Sequence, residues 1–303
     1  MSALEKVLLI ANPTAANGAA AQAAQRATEA LRARLGQEAV QLVLTAGPQH
    51  ATELAAGADG VSTVVVLGGD GVIHEAAAGL MRRPADARPA LGIIPVGSGN
   101  DYARALGVPA KLDEAVELLF ACGSRPTDVG CVNGQFFVET LSFGVDAAIA
   151  LDTVERRVRT GRTGTVLYFE AGLDQLTHHL DKRHNRTSFD GAPAVDGTSI
   201  TYAVQVGPYY GGGFKICPQA ALDDGRLDVC ISHPPAGPVR AVCIFALALG
   251  GHHTGLSQVE MRQCRSLHVD FDEQPPAQID GERIEACTFD VSVQPAALQV
   301  LRP

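Results

Sequence analysis

The first part of the chain alternates short apolar runs with longer stretches of helical character. The apolar runs predict buried β-strands at 6–11, 40–44, 63–67 and 91–95. The stretches that follow them predict helices at 19–35, 50–56, 71–81 and 112–121. Because strand and helix alternate, this part predicts an α/β domain with a mostly parallel sheet.

The pattern changes after about Arg125. Short apolar runs at 136–138, 202–206, 227–231 and 267–271 are separated by Gly, Pro, Asn and Asp. The last run alternates strictly between apolar and polar residues, which predicts a mainly antiparallel β-sandwich. One helix is expected to interrupt it, because apolar residues share one helical face at Phe169, Leu173, Leu176 and Leu180.

Composition and charge argue against two classes of protein, those that bind nucleic acids and those that span a membrane. The 303 residues suggest about two domains, and 33 acidic against 24 basic residues give a net charge of −9. This acidic balance argues against a nucleic acid partner held by its phosphates. The longest apolar run, 241–249, is too short to span a membrane, so we expect a buried helix or strand there.

The N-terminus and the cysteines indicate the cellular compartment in which the protein works. Residues 1–6 lack the basic start and apolar stretch of a secretory signal. The seven cysteines are scattered and form no C-x-x-C pair, which fits reduced thiols and neither a disulfide framework nor a zinc site. We therefore expect a cytoplasmic protein.

The strongest chemical signal is the segment 67–75, in which a buried strand leads through Gly68, Gly69, Asp70 and Gly71 into a helix. Glycines let a phosphate approach the backbone, and the amides that open a helix favour an anion. An acid beside an anion is explained if a divalent cation lies between Asp70 and the phosphates. A plain tight turn explains the same residues equally well.

Two more strand ends carry similar residues. Ser98, Asn100 and Asp101 follow the fourth strand, and the segment 12–18 follows the first. Asp101 is also a candidate N-cap. The carboxyl ends of parallel strands meet at one sheet edge, where open α/β sheets bind ligands. The chain has neither a P-loop nor a G-x-G-x-x-G fingerprint after the first strand, so the predicted phosphate site is of another type.

The second half offers a triple glycine at 211–213, an acidic turn at 222–228 and the tetrapeptide Ile279-Asp280-Gly281-Glu282. The acidic turn could hold a hard cation, although a solvated hairpin is the simpler interpretation. Similarly, Glu282 could act as a general base or lie at an exposed hairpin tip. Spacing alone favours the hairpin tip.

In combination and order, these motifs resemble the diacylglycerol kinase catalytic domain family, in its soluble bacterial branch of YegS-type lipid kinases, which is related to the sphingosine kinases. The resemblance covers nearly the whole chain. It implies an ATP-binding α/β domain of the NAD kinase and phosphofructokinase type at 1–127, joined by about 296–303, and a β-sandwich lipid domain at 128–295. It also implies an ATP- and magnesium-dependent lipid kinase of phospholipid metabolism, which phosphorylates a hydroxyl of diacylglycerol, a related glycerolipid or a long-chain base.

The resemblance also assigns site residues. Glu282 would be the catalytic base. A structural magnesium would be held by Asp224 and by backbone carbonyls at Ala221 and Arg226, with Asp70, Asp101 and Asp128 in the metal–nucleotide network. The residues expected to bind the nucleotide are Asn12, Thr45, Gly68, Gly69, Asp70, Gly71, Val72, Ile73, His74, Glu75, Ser98, Asn100 and Asp101.

Two positions depart from the family pattern, because Val72 replaces a threonine and His74 an asparagine. At both positions the sequence resembles the sphingosine kinases more closely. One rival interpretation is an NAD kinase on the same nucleotide domain, although the Gly-Ser-Thr-Ala-Tyr-type segment expected of it is absent. A nucleotide-sensing module without transfer activity is the other, and Val72 makes it conceivable.

A lipid acceptor must be drawn from a bilayer. The segment 156–186 holds seven bases against three acids, which suggests transient contact with anionic lipid at the inner membrane surface. A solvated loop would explain these charges equally well. The sequence leaves the oligomeric state open, and a homodimer is one option.

Overall fold

The structure, a computed structural model, describes residues 4–162, 164–234 and 237–303, except for the side chains at positions 16, 17 and 19. The chain forms two compact units. The first extends to Val129 and includes Ala296–Pro303, and the second is Gly130–Pro295.

The first unit alternates strands and helices. Its strands are β1 (Val7–Ala11), β2 (Val40–Leu44), β3 (Thr63–Gly68) and β4 (Ala90–Pro95). Its helices are α1 (Ala19–Leu35), α2 (His50–Ala56), α3 (Asp70–Met81), α4 (Asp101–Ala105) and α5 (Leu112–Ala121), with short 3₁₀ turns at Ala15–Gly18, Gln37–Ala39 and Ala85–Ala87. Strand β5 (Ser124–Val132) runs into the second unit.

The sheet of the first unit is parallel, in the order β2-β1-β3-β4. Its strands β1, β3 and β4 are buried at every position, as strands covered on both faces should be. The returning end of the chain adds one more parallel strand, because Val300 pairs with Leu91. The predicted α/β architecture is confirmed, and the carboxyl ends of β1, β3 and β4 lie at one edge.

The second unit holds the remaining elements. After β5 its strands are β6 (Gln135–Phe137), β7 (Thr140–Gly144), β8 (Arg183–Phe189), β9 (Val195–Ser199), β10 (Thr201–Gln205), β11 (Leu227–Ser232), β12 (Val259–Cys264), β13 (Ser266–Phe271), β14 (Ala277–Ile279), β15 (Glu282–Arg283) and β16 (Thr288–Leu301), whose end returns to the first unit. Its helices are α6 (Val145–Thr160), α7 (Thr165–His178) and α8 (Pro238–Ala248).

Two antiparallel sheets form a sandwich in the second unit. One has the order β12-β11-β10-β7-β14-β15, and the other contains the first half of β16 followed by β13, β8 and β9. The sheets meet at Phe143 of β7, whose ring centre lies 5.3 Å from that of Phe271 and 4.6 Å from that of Phe289. The predicted β-sandwich is confirmed.

The helices of the second unit differ from the prediction. The described part of this unit contains three helices, where the pattern predicted one and left 241–249 open between helix and strand, and they pack in the order α6, α7, α8. On α7, Leu176 is buried, but Phe169 and Leu173 are 40% and 43% exposed. The apolar run 241–249 forms most of α8, so the structure selects the helix from the two alternatives, helix or strand. The predicted burial is wrong, because only Ala241 and Ala248 of α8 are buried.

No helix in the part of the chain that the structure describes is both long enough and apolar enough to cross a bilayer.

Candidate functional site

Three predicted segments leave the sheet of the first unit side by side. The amide of Asn12 donates a hydrogen bond to the Leu67 carbonyl at 3.2 Å, and that of Val96 donates to the Gly68 carbonyl at 2.8 Å. These bonds continue the sheet pairing just beyond the ends of β1 and β4. The segments around Asn12, the double glycine and Ser98 therefore start from neighbouring points of the carboxyl edge.

The two glycine turns touch backbone to backbone. A Cβ atom on Gly97 would lie 2.5 Å from the Cα of Gly69, and one on Gly69 would lie 3.1 Å from the Cα of Gly97. A Cβ on Gly68 would meet the Val72 side chain at 2.3 Å. Side chains are excluded at Gly69 and Gly97 because the two turns pack against one another, and at Gly68 because Val72 occupies the space.

Gly71 is different, since a Cβ there would meet no atom of the described residues within 4 Å, apart from its chain neighbours and the backbone of its own helix. It lies in the first turn of α3, which spans twelve residues, and its φ angle is not positive. Packing and backbone conformation therefore do not require a glycine at this position. The open space beside it is where a group of a ligand could approach the start of the helix.

Asn100 holds the second glycine turn closed. Its side-chain oxygen accepts a bond from the Gly97 amide at 2.8 Å, and its side-chain nitrogen donates to the Gly97 carbonyl at 2.9 Å. Asn100 has a left-handed φ of 54°, which asparagine tolerates better than most residues. Its amide shapes the turn, while Ser98 at the tip is exposed to solvent.

The acids Asp70 and Asp101 come together at this edge, with carboxylate oxygens within 4.8 Å of each other. Asp70 accepts a bond from the Tyr102 amide at 3.3 Å, and the buried Asp101 pairs with Arg104. Two carboxylates this close repel each other unless a cation lies nearby. The N-cap alternative for Asp101 is wrong, because Asp101 is the first residue of α4 and its carboxylate is paired with Arg104.

Several other predicted nucleotide ligands lie beneath the edge. The side chains of Val72, Ile73 and His74 are all buried. The Ile73 amide is bonded to the Gly69 carbonyl at 3.2 Å. In this structure these three side chains support the turn from the core and do not line an open surface.

Glu75 and Thr45 differ in their availability to a ligand. The Glu75 carboxylate accepts a bond from the Ala51 amide at 3.1 Å, so it holds the first turn of α2. Thr45 is half-exposed just after β2, and its amide donates to the Ala11 carbonyl at 2.9 Å. Of these two, Thr45 is better placed to meet a ligand at the edge.

The carboxylate of Asp128 also has a structural role. It is buried, and it accepts a bond from the Ala296 amide at 2.7 Å, where Ala296 has a left-handed φ of 53°. This bond fixes the point at which the returning chain enters the first unit.

In the second unit, Glu282 follows a tight turn between β14 and β15. Asp280 and Gly281 both have positive φ angles, 46° and 92°, as a type I′ hairpin turn requires. The Glu282 side chain is half-buried. The hairpin alternative is therefore right about the turn, but Glu282 is not an exposed tip.

Asp280 anchors this hairpin. Its carboxylate accepts bonds from the amides of Val138, Glu139 and Thr140 at 2.8, 3.0 and 2.8 Å. These contacts hold the neighbouring Glu282 against the β-sandwich. Sequence reasoning missed this role of Asp280, although an Asp-Gly pair at a hairpin is a recognisable signal.

The acidic turn before β11 is exposed. Asp224 accepts a bond from the Arg226 amide at 3.0 Å, and Gly225 has a φ of 71°. Ala221 lies just before the turn and is half-exposed. The donor chemistry fits a hard cation only if backbone carbonyls and water complete the set, since Ala221 and Arg226 offer no side-chain oxygen.

The triple glycine serves packing. A Cβ on Gly211 would lie 2.5 Å from the ring of Tyr168, and Thr165 donates a bond to the Gly212 carbonyl at 2.9 Å. Both partners belong to α7. The glycines therefore let the start of this helix pack closely, a reason that the sequence alone did not reveal.

The second unit also contains an apolar cavity of about 50 Å³ that the sequence did not predict. It lies between the helices α6–α8 and the strands β10–β12, and Ile149, Leu176 and Phe245 are among its lining residues. Burial raises the pKa of the Asp146 carboxyl in its wall to about 6. Burial also lowers the pKa of His253, another lining residue.

Comparisons with known proteins agree with this architecture. Residues 6–132 match the model of the diacylglycerol kinase catalytic domain, and residues 139–302 match that of the YegS C-terminal NAD kinase beta sandwich-like domain.

Named relatives cover most of the chain. It is 32% identical to a "probable lipid kinase YegS-like" of Pseudomonas aeruginosa, over 92% of this chain and 89% of that protein. It is 33% identical to a diacylglycerol kinase of Mycobacterium tuberculosis, over 98% and 95%. A solved diacylglycerol kinase structure from Bacillus anthracis superimposes with a TM-score of 0.80 at 24% identity, over 99% of this chain and 97% of that one.

Proposed function

Because the chain belongs to the diacylglycerol kinase catalytic domain family, we propose that it transfers the γ-phosphate of ATP to a hydroxyl group of a lipid. The observation that carries this proposal is the pair of glycine turns in contact at Gly69 and Gly97, beside two carboxylates, at the carboxyl edge of a parallel sheet. In this proposal the first unit binds ATP and the second binds the lipid.

The nucleotide site would use the open side of the edge. The space beside Gly71 admits a phosphate to the first turn of α3, where the positive end of the helix dipole favours an anion. The exposed Ser98 and the half-exposed Asn12 and Thr45 offer polar groups around it. The buried Val72, Ile73 and His74 would support the backbone from below.

Magnesium fits the carboxylates of this edge. The oxygens of Asp70 and Asp101 lie within 4.8 Å of each other, and such hard ligands suit the ion that accompanies ATP. The ion would offset negative charge on the phosphates during transfer. We also propose that Asp224, with the carbonyls of Ala221 and Arg226, holds a separate structural magnesium.

The Asp70→Asn substitution tests the magnesium assignment. The amide keeps the size of the side chain and an oxygen for the Tyr102 amide, but it loses the charge. We expect the affinity for Mg·ATP to fall about tenfold, an energy of ~1.4 kcal/mol, with a smaller change for metal-free ATP. Calorimetric titration measures both, and the exposed Asp86→Asn is the matched control. An unchanged Mg·ATP affinity would refute the role.

Glu282 is the proposed general base of the reaction. A lipid hydroxyl is a weak nucleophile, and a carboxylate that takes its proton while the phosphoryl group arrives speeds transfer. Three amides hold Asp280, so the backbone next to Glu282 is fixed. Such fixed placement is what a base needs in order to meet the hydroxyl proton.

The apolar cavity under α6–α8 supports a lipid acceptor. As it stands, about 50 Å³ holds only a few methylene groups, so a longer chain requires the helices to separate. The acceptor would be diacylglycerol, a related glycerolipid or a long-chain base. We propose that the protein works in the cytoplasm and contacts the inner membrane surface transiently to reach it.

A transfer assay on a panel of acceptors tests the function. Purified protein is incubated with γ-labelled ATP, magnesium and vesicles that contain diacylglycerol, monoacylglycerol, sphingosine or ceramide, and with NAD in a separate reaction. We expect label in one extracted lipid class. Label in NAD alone would establish the NAD kinase alternative, and ATP binding without any transfer would establish the nucleotide-sensing alternative.

A further inference from the structure

Helix α8 presents apolar residues to solvent. Its exposed positions, together with the residue that follows it, include Val239, Leu247 and Leu249, and Val239 is 81% exposed. Arg240 is the one charged residue within its bounds, Pro238–Ala248. A surface helix of a globular domain normally turns a polar face to water. The solvent-exposed positions of α8 and of Leu249 after it are thus more apolar than folding of this unit requires.

Helix α7 shows the same feature. Val166, Phe169 and Leu173 are spaced by three and four residues, so they form one stripe, and all three are exposed, Val166 at 64%. The two helices are in contact here, because the rings of Phe169 and Phe245 lie 5.8 Å apart. We call Val166, Phe169, Leu173, Val239, Leu247 and Leu249 the outer helix patch.

The end of α6 adds positive charge. Val158, which is 83% exposed, stands between the exposed residues Arg157 and Arg159. Neither arginine forms an ion pair with any residue that the structure describes. The broader basic face expected at 156–186 needs correction, because four of its seven bases form ion pairs. These are Arg156 with Asp152 and Asp174, Arg162 with Glu170, Arg183 with Asp181 and Glu273, and Arg186 with Asp196.

The acids nearby are also neutralised. Glu170 is held by Arg162, and Glu155 lies 3.4 Å from Arg283. The uncompensated charge at this end of α6 is therefore positive, although the whole protein carries −9. The second contact also places α6 beside the hairpin that carries Glu282.

We infer that the outer helix patch is a membrane-docking surface, which inserts its apolar side chains among the lipids while Arg157 and Arg159 contact anionic head groups. Aliphatic side chains flanked by bases are the composition of interfacial membrane helices. A protein partner would more often meet aromatic residues and hydrogen-bonding groups at the centre of its interface.

The inner faces of the same helices also suit contact with a lipid bilayer. Ile149 of α6, Leu176 of α7 and Phe245 of α8 line the apolar cavity. A lipid that leaves the bilayer at the patch would thus pass between helices that are apolar on both sides. This step of the inference rests on the proposed function, whereas vesicle binding does not.

Vesicle co-sedimentation without ATP tests the docking surface. The double variant Val166→Gln, Val239→Gln replaces the two most exposed residues of the patch. The matched control is Val195→Gln, Met261→Gln, at exposed apolar positions of β9 and β12. With vesicles of phosphatidylglycerol and phosphatidylcholine, we expect the patch variant to bind about tenfold more weakly and the control to bind like the wild type.

A second pair of variants tests the charges. Arg157→Gln, Arg159→Gln should weaken binding about fivefold for each base at low salt, and high salt should remove the difference. Arg82→Gln, Arg265→Gln, at exposed positions elsewhere, is the control. Melting temperatures of all variants should match the wild type, because the substituted side chains lie at the surface.

The outcomes separate docking from catalysis. If the patch variant binds vesicles as tightly as the wild type, the inference is overturned, whatever the kinase activity. It is also overturned if light scattering shows a wild-type dimer that the patch variant dissociates, since a second copy then covers the patch. If the patch variant loses vesicle binding but still phosphorylates a short-chain, water-soluble acceptor, both proposals stand. If vesicle binding is lost and no protein phosphorylates any acceptor, docking stands and the kinase proposal fails.

Discussion

The two units differ in where they place residues that packing does not explain. In the first unit such residues are polar or lack a side chain, and they lie in the segments just after the strands, as Asp70, Gly71 and Ser98 do. In the second unit they are apolar and lie on the outside of helices, as Val166 and Val239 do. The first arrangement suits a charged ligand from water, and the second suits a hydrocarbon ligand from a bilayer.

The units also treat buried carboxyl groups differently. In the first unit the buried Asp101 has the cationic partner Arg104. In the second unit the buried Asp146 lies in the wall of an apolar cavity, and burial raises its pKa to about 6. The negative charge of Asp101 is thus compensated by Arg104, which suits a site proposed for the charged nucleotide. At Asp146 the charged form is disfavoured, which suits a cavity proposed for a lipid chain.

Gly97→Ala should break the edge of the first unit. The new methyl group would lie 2.5 Å from the Cα of Gly69, and a backbone atom cannot move aside as a flexible side chain can. We expect the free energy of unfolding to fall by up to about 3 kcal/mol, together with loss of ATP binding. Chemical denaturation measures the first effect. The control is Gly123→Ala, where the new methyl group would meet no atom of the described residues within 4 Å apart from its chain neighbours. Equal losses in both variants would contradict the packing explanation.

Asp146→Asn should stabilise the second unit at neutral pH. The ordinary carboxyl pKa is about 4 and the folded pKa about 6, so the folded state retains its proton longer than the unfolded state. Wild-type stability therefore falls as pH rises from about 4 to about 6, by about 2–3 kcal/mol, and then stays level.

The asparagine variant lacks this titration. Its advantage over the wild type should reach about 2–3 kcal/mol at pH 7.5 and vanish near pH 4, as measured by urea unfolding at both values. An advantage that is the same at both pH values would show that the carboxyl does not carry the effect.

Gly71→Ala should affect ATP binding and folding stability in opposite directions. Apart from its chain neighbours and the backbone of its own helix, the methyl group meets no atom of the described residues within 4 Å. Alanine favours a helix by about 0.5–1 kcal/mol over glycine, so the protein should be slightly more stable. If a phosphate uses that open space, ATP affinity should fall about tenfold, or ~1.4 kcal/mol. Calorimetry measures the ATP affinity and thermal unfolding the stability. An unchanged ATP affinity would show that the phosphate does not bind beside Gly71.

Much of the first unit could be predicted from sequence. Strands covered on both faces appear as unbroken apolar runs, such as Val64–Leu67, and the glycine turns follow directly. What local pattern could not reveal is that Gly69 and Gly97 need glycine because they touch each other, while Gly71 does not. Contacts between distant turns leave no trace in spacing.

The second unit was less predictable. Apolar residues in a helix normally indicate burial, so the run 241–249 is expected inside. Phe169 and Leu173 share the predicted apolar face of α7, yet they are 40% and 43% exposed. Periodicity shows that a helix has an apolar face, but it cannot show whether protein or another medium covers that face. Glu282 could be named from the resemblance to the family. The hydrogen bonds that anchor its hairpin through Asp280 join residues far apart in the sequence, so only the structure reveals them.

The most direct test of the account is the turnover of Glu282→Gln in lipid phosphorylation, beside the neighbouring exposed control Glu285→Gln. If Glu282 takes the proton of the lipid hydroxyl, its loss should reduce kcat by roughly 10²–10⁴-fold, while the Kd for ATP stays unchanged and the control keeps full activity. A Glu282→Gln protein that phosphorylates lipid at the wild-type rate would contradict the account.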